Sequence, residues 1–222
     1  MAKHCFSRTS KTNIARALLG ATVIASALGG QAAVASADTA QRPAAVADHD
    51  IKSGQAKVNV TAAQVLAVAK SQVGTSENAA GGGTKYQDWY AASPRAAETV
   101  ARDGGTRTDY LNGAWCAMFV SWVGNQSGAH SQIGADAYTV AYAKWFEGTH
   151  RFGTVAKPGA VVFFAWNGGK DLTDIRHVGF VVKDNQNGTI STIEGNTGNG
   201  KVEERVRPKS DVVGYGYPEY AA

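Results

Sequence analysis

Apolar residues at Val65, Leu66, Val68, Ala69 and Val73 recur at three- and four-residue steps, the pattern of a helix with one buried stripe. Thr61 and Gln64 stand where a capping box opens such a helix, with Val60 and Val65 placed as a hydrophobic staple. Lys70 falls in its last turn and Gly74 ends it. The same period returns at Trp115, Met118, Phe119, Trp122 and Val123, closed by Gly124 and Gly128. A third helix is predicted from Asp136 to Gly148, with Tyr138, Tyr142 and Trp145 on one side. Residues 75–113 separate the first two helices and contain two glycine-rich loops, 79–84 and 102–108. Between these loops Tyr86, Trp89 and Tyr90 share a face at helical spacing and read first as core. Connections this long tend to be functional or disordered.

After Pro158 and Gly159 the period changes. "AVVFFAW" (160–166) is an apolar run of the buried-strand type, bounded by Pro-Gly and "NGG". "HVGFVVK" (177–183) and "TISTIEG" (189–195) flank the turn-rich "DNQNG", which predicts a hairpin. "VVGYGYP" (212–218) reads as a closing strand. Helices first and strands later predict an α+β domain whose helices pack on an antiparallel sheet.

The N-terminal residues change the picture of compartment and charge. Lys3, Arg8, Lys11 and Arg16 precede the apolar stretch 17–30, and "ASA" (35–37) supplies a small-x-small cleavage pattern, together an export signal over residues 1–37. The apolar stretch is short for a membrane span. Residues 38–57 read as a flexible leader, and 58–222 as one domain. The chain has 22 Lys and Arg against 18 Asp and Glu, but residues 1–37 hold four of the basic residues and none of the acidic ones. Processing therefore leaves 18 against 18. Nucleic acid is not an expected partner, because the basic footprint of a nucleic-acid binder is missing, and neither is a membrane once the signal is removed. Cys5 leaves with the signal, so Cys116 is expected to be the single cysteine of the processed chain. In an exported protein a leftover cysteine suggests an intermolecular bridge or a reactive thiol; a buried, inert cysteine is the alternative.

Cys116 sits in the first turn of its helix, whether that begins at Asn112 or Gly113. Unpaired backbone N–H groups and the helix dipole stabilise a thiolate there, and the same N–H groups suit an oxyanion. A nucleophile also needs a base. His4 is removed with the signal, His49 lies in the leader, and His130 and His150 sit in loop-like sequence. His177 stands at the mouth of a strand. If residues 184–187 form the turn, His177 lies directly opposite Glu194; a turn one residue longer sets Val178 there instead. Either way Glu194 or Asn196 comes near the imidazole and suits the orienting role of a third triad member. A purely structural His–Glu hydrogen bond would look the same in sequence.

"WCAMFVSW" (115–122), "HVGFVV" (177–182), "IEGN" (193–196) and "GYGYP" (214–218) resemble the CHAP family of cysteine, histidine-dependent amidohydrolases and peptidases. The resemblance implies a papain-like α+β fold, a secreted bacterial protein of the cell wall, and peptidoglycan as substrate and partner. It implies Cys116 as nucleophile, His177 as general base, Glu194 as orienting acid and Asn196 as a further polar position. "TKYQDWY" (84–90) is similar to a segment of some members, which makes Tyr86 and Trp89, with Trp115 beside the cysteine, candidate substrate contacts. Some relatives bind calcium before the cysteine; here Asp103 and Asp109 are too few for a site of 6–8 oxygens, so neither metal nor cofactor is expected. The chain is expected to act as a monomer. A non-catalytic wall-binding module on the same fold is the rival reading.

Overall fold

The computed structural model describes residues 58–222. The stretches read as export signal and leader, residues 1–37 and 38–57, lie outside the described residues. The rest is an α+β domain: six helices, α1 (Ala62–Lys70), α2 (Lys85–Ala92), α3 (Pro94–Asp103), α4 (Cys116–Gln126), α5 (His130–Ile133) and α6 (Thr139–Gly148), come before the sheet. The strands are β1 (Phe152–Gly153), β2 (Val161–Phe164), β3 (His177–Asp184), β4 (Thr189–Thr197), β5 (Lys201–Pro208) and β6 (Val212–Gly216). They form one antiparallel sheet in the order β1-β6-β2-β3-β4-β5.

The capping box of α1 forms as predicted, with the Gln64 amide N–H donating to Thr61 Oγ1 at 3.2 Å and Thr61 N–H donating to Gln64 Oε1 at 2.9 Å. Val65 and Ala69 are buried, but Val73 is 45% exposed. The helix stops at Lys70, and Gly74 N–H turns the chain to Val202 O on β5 at 2.9 Å. Within 75–113 the structure adds α3 and a 3-10 turn at Arg107–Asn112. Ser93 caps α3 and Pro94 opens it, so Arg102 and Asp103 end a helix instead of starting a loop.

Helix α4 begins at Cys116 itself, later than Asn112 or Gly113, and runs through Gly124 to Gln126. Gly124 does not terminate it. A Cβ there would lie 2.9 Å from Ile133 Cβ on α5, so this glycine permits close helix packing. Asp136 precedes α6 and accepts Tyr138 N–H, Arg95 and Arg102.

The larger core lies between the helices and one sheet face, joining Val65, Phe119 and Phe146 to Val161, Phe163, Val178, Phe180 and Ile193. On the other face Val162, Phe164, Val181, Ile190 and Tyr215 form a smaller cluster. Strand β2 contributes to both, which is why it reads as an unbroken apolar run. Strand β5 has no such signature: Val202 is buried while Val206 is 65% exposed.

Candidate active site

Three elements, β3, β4 and α4, meet at one end of the strands. Strand β3 begins with His177 and the antiparallel β4 ends with Glu194, Gly195, Asn196 and Thr197, so these residues share one end of the ladder. Helix α4 packs on both strands, with Phe119 edge-on to Phe180 at 6.4 Å between ring centroids. Gly195 allows the close approach: a Cβ on it would fall 2.6 Å from Phe119 Cβ and 2.9 Å from Trp115 Cζ3. The first turn of α4, which Cys116 opens, therefore lies against the residue following Glu194. No side chain caps this helix, so its first N–H groups and its dipole point to the cysteine's end.

His177 and Glu194 are brought together, in a register that differs from both expected ones. The ladder pairs Phe180 with Ile193 and Asp184 with Ile190, and shifts between Val181 and Lys183. Continued by one residue, it sets Gly179 against Glu194, so neither His177 nor Val178 is directly opposite. The contact is diagonal instead: His177 Nε2 and Glu194 Oε2 are 2.9 Å apart. Gly179 leaves the room for it, since a Cβ there would lie 2.7 Å from Glu194 Cγ. With Nε2 engaged, Nδ1 is the ring nitrogen left for a thiol.

Glu194 is fully buried, yet ionised. Arg207 Nε donates to Oε1 at 2.9 Å and Nη2 donates to Oε2, while Thr192 Oγ1 donates to Oε1 at 2.6 Å. Burial pushes the carboxyl up, but the hydrogen bonds and charges of Arg207 and His177 outweigh it and hold the group well below the usual carboxylate range. Trp166 covers this cluster. Its ring lies 5.5 Å from that of His177, and the Arg207 guanidinium sits 4.9 Å from the Trp166 centroid. Arg207 was not predicted, because β5 went unrecognised. The available signal was the alternation in "KVEERVR" (201–207), which puts Lys201, Glu203, Arg205 and Arg207 on one face.

Cys116 is buried. The sequence has one other cysteine, Cys5, which lies outside the described residues. Asn196 is buried, adopts a left-handed φ of 54° and lies in the register shift between Glu194 and Thr197. Such bulges often re-aim side chains beside active sites. Among the described residues it is Glu194, and not Asn196, that holds the imidazole.

The aromatic candidates divide. Tyr86 and Trp115 are both 0% exposed and stack on each other at 5.3 Å, so they are core residues with no surface to offer a substrate. Trp89 is half-buried. The Trp115 indole N–H donates to Glu77 Oε2 at 2.9 Å, and Glu77 lines a cavity of about 270 Å³ together with residues 78, 79, 196 and 198–200. This cavity borrows one wall from the 75–113 stretch and the other from the end of β4 and the turn after it. Among the described residues, no three His, Cys, Asp or Glu side chains group as metal ligands, and no helix is long and apolar enough to cross a membrane.

The CHAP domain family matches residues 107–196, from the 3-10 turn before Cys116 to Asn196. No curated protein and no solved structure matches the chain. CHAP domains are typically hydrolases, amidases or peptidases that act on peptidoglycan. The similarity to the CHAP domain family thus covers the stretch that holds Cys116, His177, Glu194 and Asn196.

Proposed function

We propose that the protein hydrolyses an amide bond of peptidoglycan with the Cys116 thiolate as nucleophile, His177 as acid and base, and Glu194 as the group that orients the imidazole. The observation that carries this is the buried His177–Glu194 pair, 2.9 Å apart, at the sheet end against which the first turn of α4 packs. Sγ attacks the carbonyl carbon, the C–N bond breaks, and the imidazolium gives its proton to the departing amine. A thioester remains. Water, losing a proton to the same imidazole, adds to the thioester, and the carboxylate leaves as the thiol is restored. The bond is either the one joining muramic acid to the first alanine or one within the stem or cross-bridge.

The reactive species is the thiolate. Export with removal of residues 1–37 is part of this proposal: it takes away Cys5 and leaves Cys116 the single cysteine of the processed chain. The chain would then act as a monomer in the cell wall. Cys116→Ala should abolish cell-wall lysis in a turbidity assay and leave the circular dichroism spectrum unchanged. Undiminished lysis by that variant rules the mechanism out.

The complete burial of Cys116 favours a second reading, a wall-binding module on the same fold. Iodoacetamide labelling of the reduced, folded chain near neutral pH separates the two. Fast labelling at Cys116 belongs to the enzyme; protection until denaturant is added belongs to the module.

A further inference from the structure

We infer that Arg207 is the positioning residue of this site: its guanidinium fixes the Glu194 carboxylate, and through it the His177 ring, in the orientation the proposed hydrolysis uses. The inference rests on the hydrolase reading above, and Arg207 lies beyond the span that matches the family. Across the ladder Arg207 pairs with Ile190, four residues from Glu194. Its side chain must run along the sheet past Thr192 to arrive at the carboxylate.

There it engages both oxygens with two nitrogens, and Nη2 also donates to Thr197 Oγ1 at 2.9 Å. With Thr192 and His177 added, the two carboxylate oxygens take part in four hydrogen bonds. Turning the carboxylate would break charge-assisted bonds on either side. A cation needed only to neutralise a buried anion has no use for a two-pronged fork. The guanidinium is held in turn by the faces of Trp166 and Phe164, 4.9 and 6.0 Å from their centroids. Trp166 also lies against His177, so one indole braces both ends of the chain of contacts.

The charged and titratable groups around this chain are His177 on β3, Glu194 on β4, Glu203 and Arg205 on β5 and Asp211 after β5; of these, Glu194, Asp211 and Glu203 act directly on Arg207. Arginine stays charged at every working pH. Removing that fixed positive charge raises the ionisation midpoint of each neighbour, so the activity bell must move to higher pH. A residue that merely held β5 in place would not move it.

The test uses the reduced full-length chain and the variants Arg207→Gln and Arg207→Lys. It reads kcat and KM on peptidoglycan against pH, and separately titrates the His177 Cε1 proton by NMR, which needs no turnover. For Arg207→Gln we expect the bell and the NMR midpoint to move up together, on the order of one pH unit. kcat should fall on the order of 10- to 100-fold, as for partners one bond removed from a functional imidazole, with KM little changed. Arg207→Lys keeps the charge and loses the fork, so its bell should stay in place while kcat falls. A folded Arg207→Gln whose bell and NMR midpoint both match the wild type overturns the inference. Should circular dichroism show that Arg207→Gln does not fold, Arg207→Lys decides, and an unchanged kcat overturns it. If the wild type itself does not hydrolyse peptidoglycan, the hydrolase reading fails, while the NMR midpoint still reports on Arg207.

Discussion

Gly179 has no side chain, and the Glu194 side chain occupies the space a methyl group would take. A Cβ there would stand 2.7 Å from Glu194 Cγ and 2.9 Å from Ile193 O, one of them backbone. Gly179→Ala should therefore destabilise the fold by about 1–3 kcal/mol, the usual cost of overpacking, measurable by urea denaturation. It should also lower kcat, because Glu194 can yield only by leaving His177. His177 and Glu194 were legible as partners from the hairpin alone: a strand opening with His, a turn, and a strand closing with Glu. Their register was not. It depends on where the turn closes, and Asp184 pairs with Ile190 around a loop in which Gln186 adopts a φ of 60°. A shift between Val181 and Lys183 then moves the alignment again. Neither feature has a residue pattern that fixes it in advance. Tyr86 and Trp115 illustrate the opposite failure, since an aromatic ring beside a catalytic segment looks the same in sequence whether it faces a groove or the core.

At the scale of elements, the contact between α4 and β4 sets the first turn of α4, which Cys116 opens, against Gly195 beside Glu194. Gly195→Ala would put a methyl group 2.6 Å from Phe119 Cβ, forcing the start of α4 away from the strand. The expected result is a loss of about 1–3 kcal/mol in thermal unfolding and a larger relative loss of activity than of stability, as Cys116 moves with the helix. Helix α4 was readable because most of its residues are apolar and buried. Strands β2, β3 and β6 were readable for the same reason, and β4 from the turn-rich loop that joins it to β3. Helix α3 and strand β5 were not: α3 buries only Ala96 and Thr99, and β5 buries only Val202. Both are held by caps, ladder hydrogen bonds and charge instead of by an apolar face. The cost of missing β5 was missing Arg207.

For the whole molecule, the buried carboxylate links folding to pH. The folded state holds Glu194 ionised below the range in which an unfolded glutamate, at about pH 4.3, takes up a proton. A depressed folded value means the unfolded chain binds the extra proton, so stability rises with pH through the window between the two values. The contribution is complete above the unfolded value and is lost as pH falls toward the folded one. The melting temperature should thus drop below about pH 5. Glu194→Gln should flatten that slope by up to one proton, about 1.4 kcal/mol per pH unit, while lowering stability at pH 7. An equally steep acid slope in the variant would assign the effect to other carboxylates.

The central claim is that one sulfur atom, activated by His177, opens an amide bond. Mass spectrometry of purified muropeptides incubated with the reduced chain measures this directly, with Cys116→Ala run alongside. The account predicts products heavier by one water, with a new amine and a new carboxyl at a single amide, from the wild type alone. The same products from Cys116→Ala, or intact muropeptides after incubation with a wild type whose Cys116 is shown to be reduced, would contradict it.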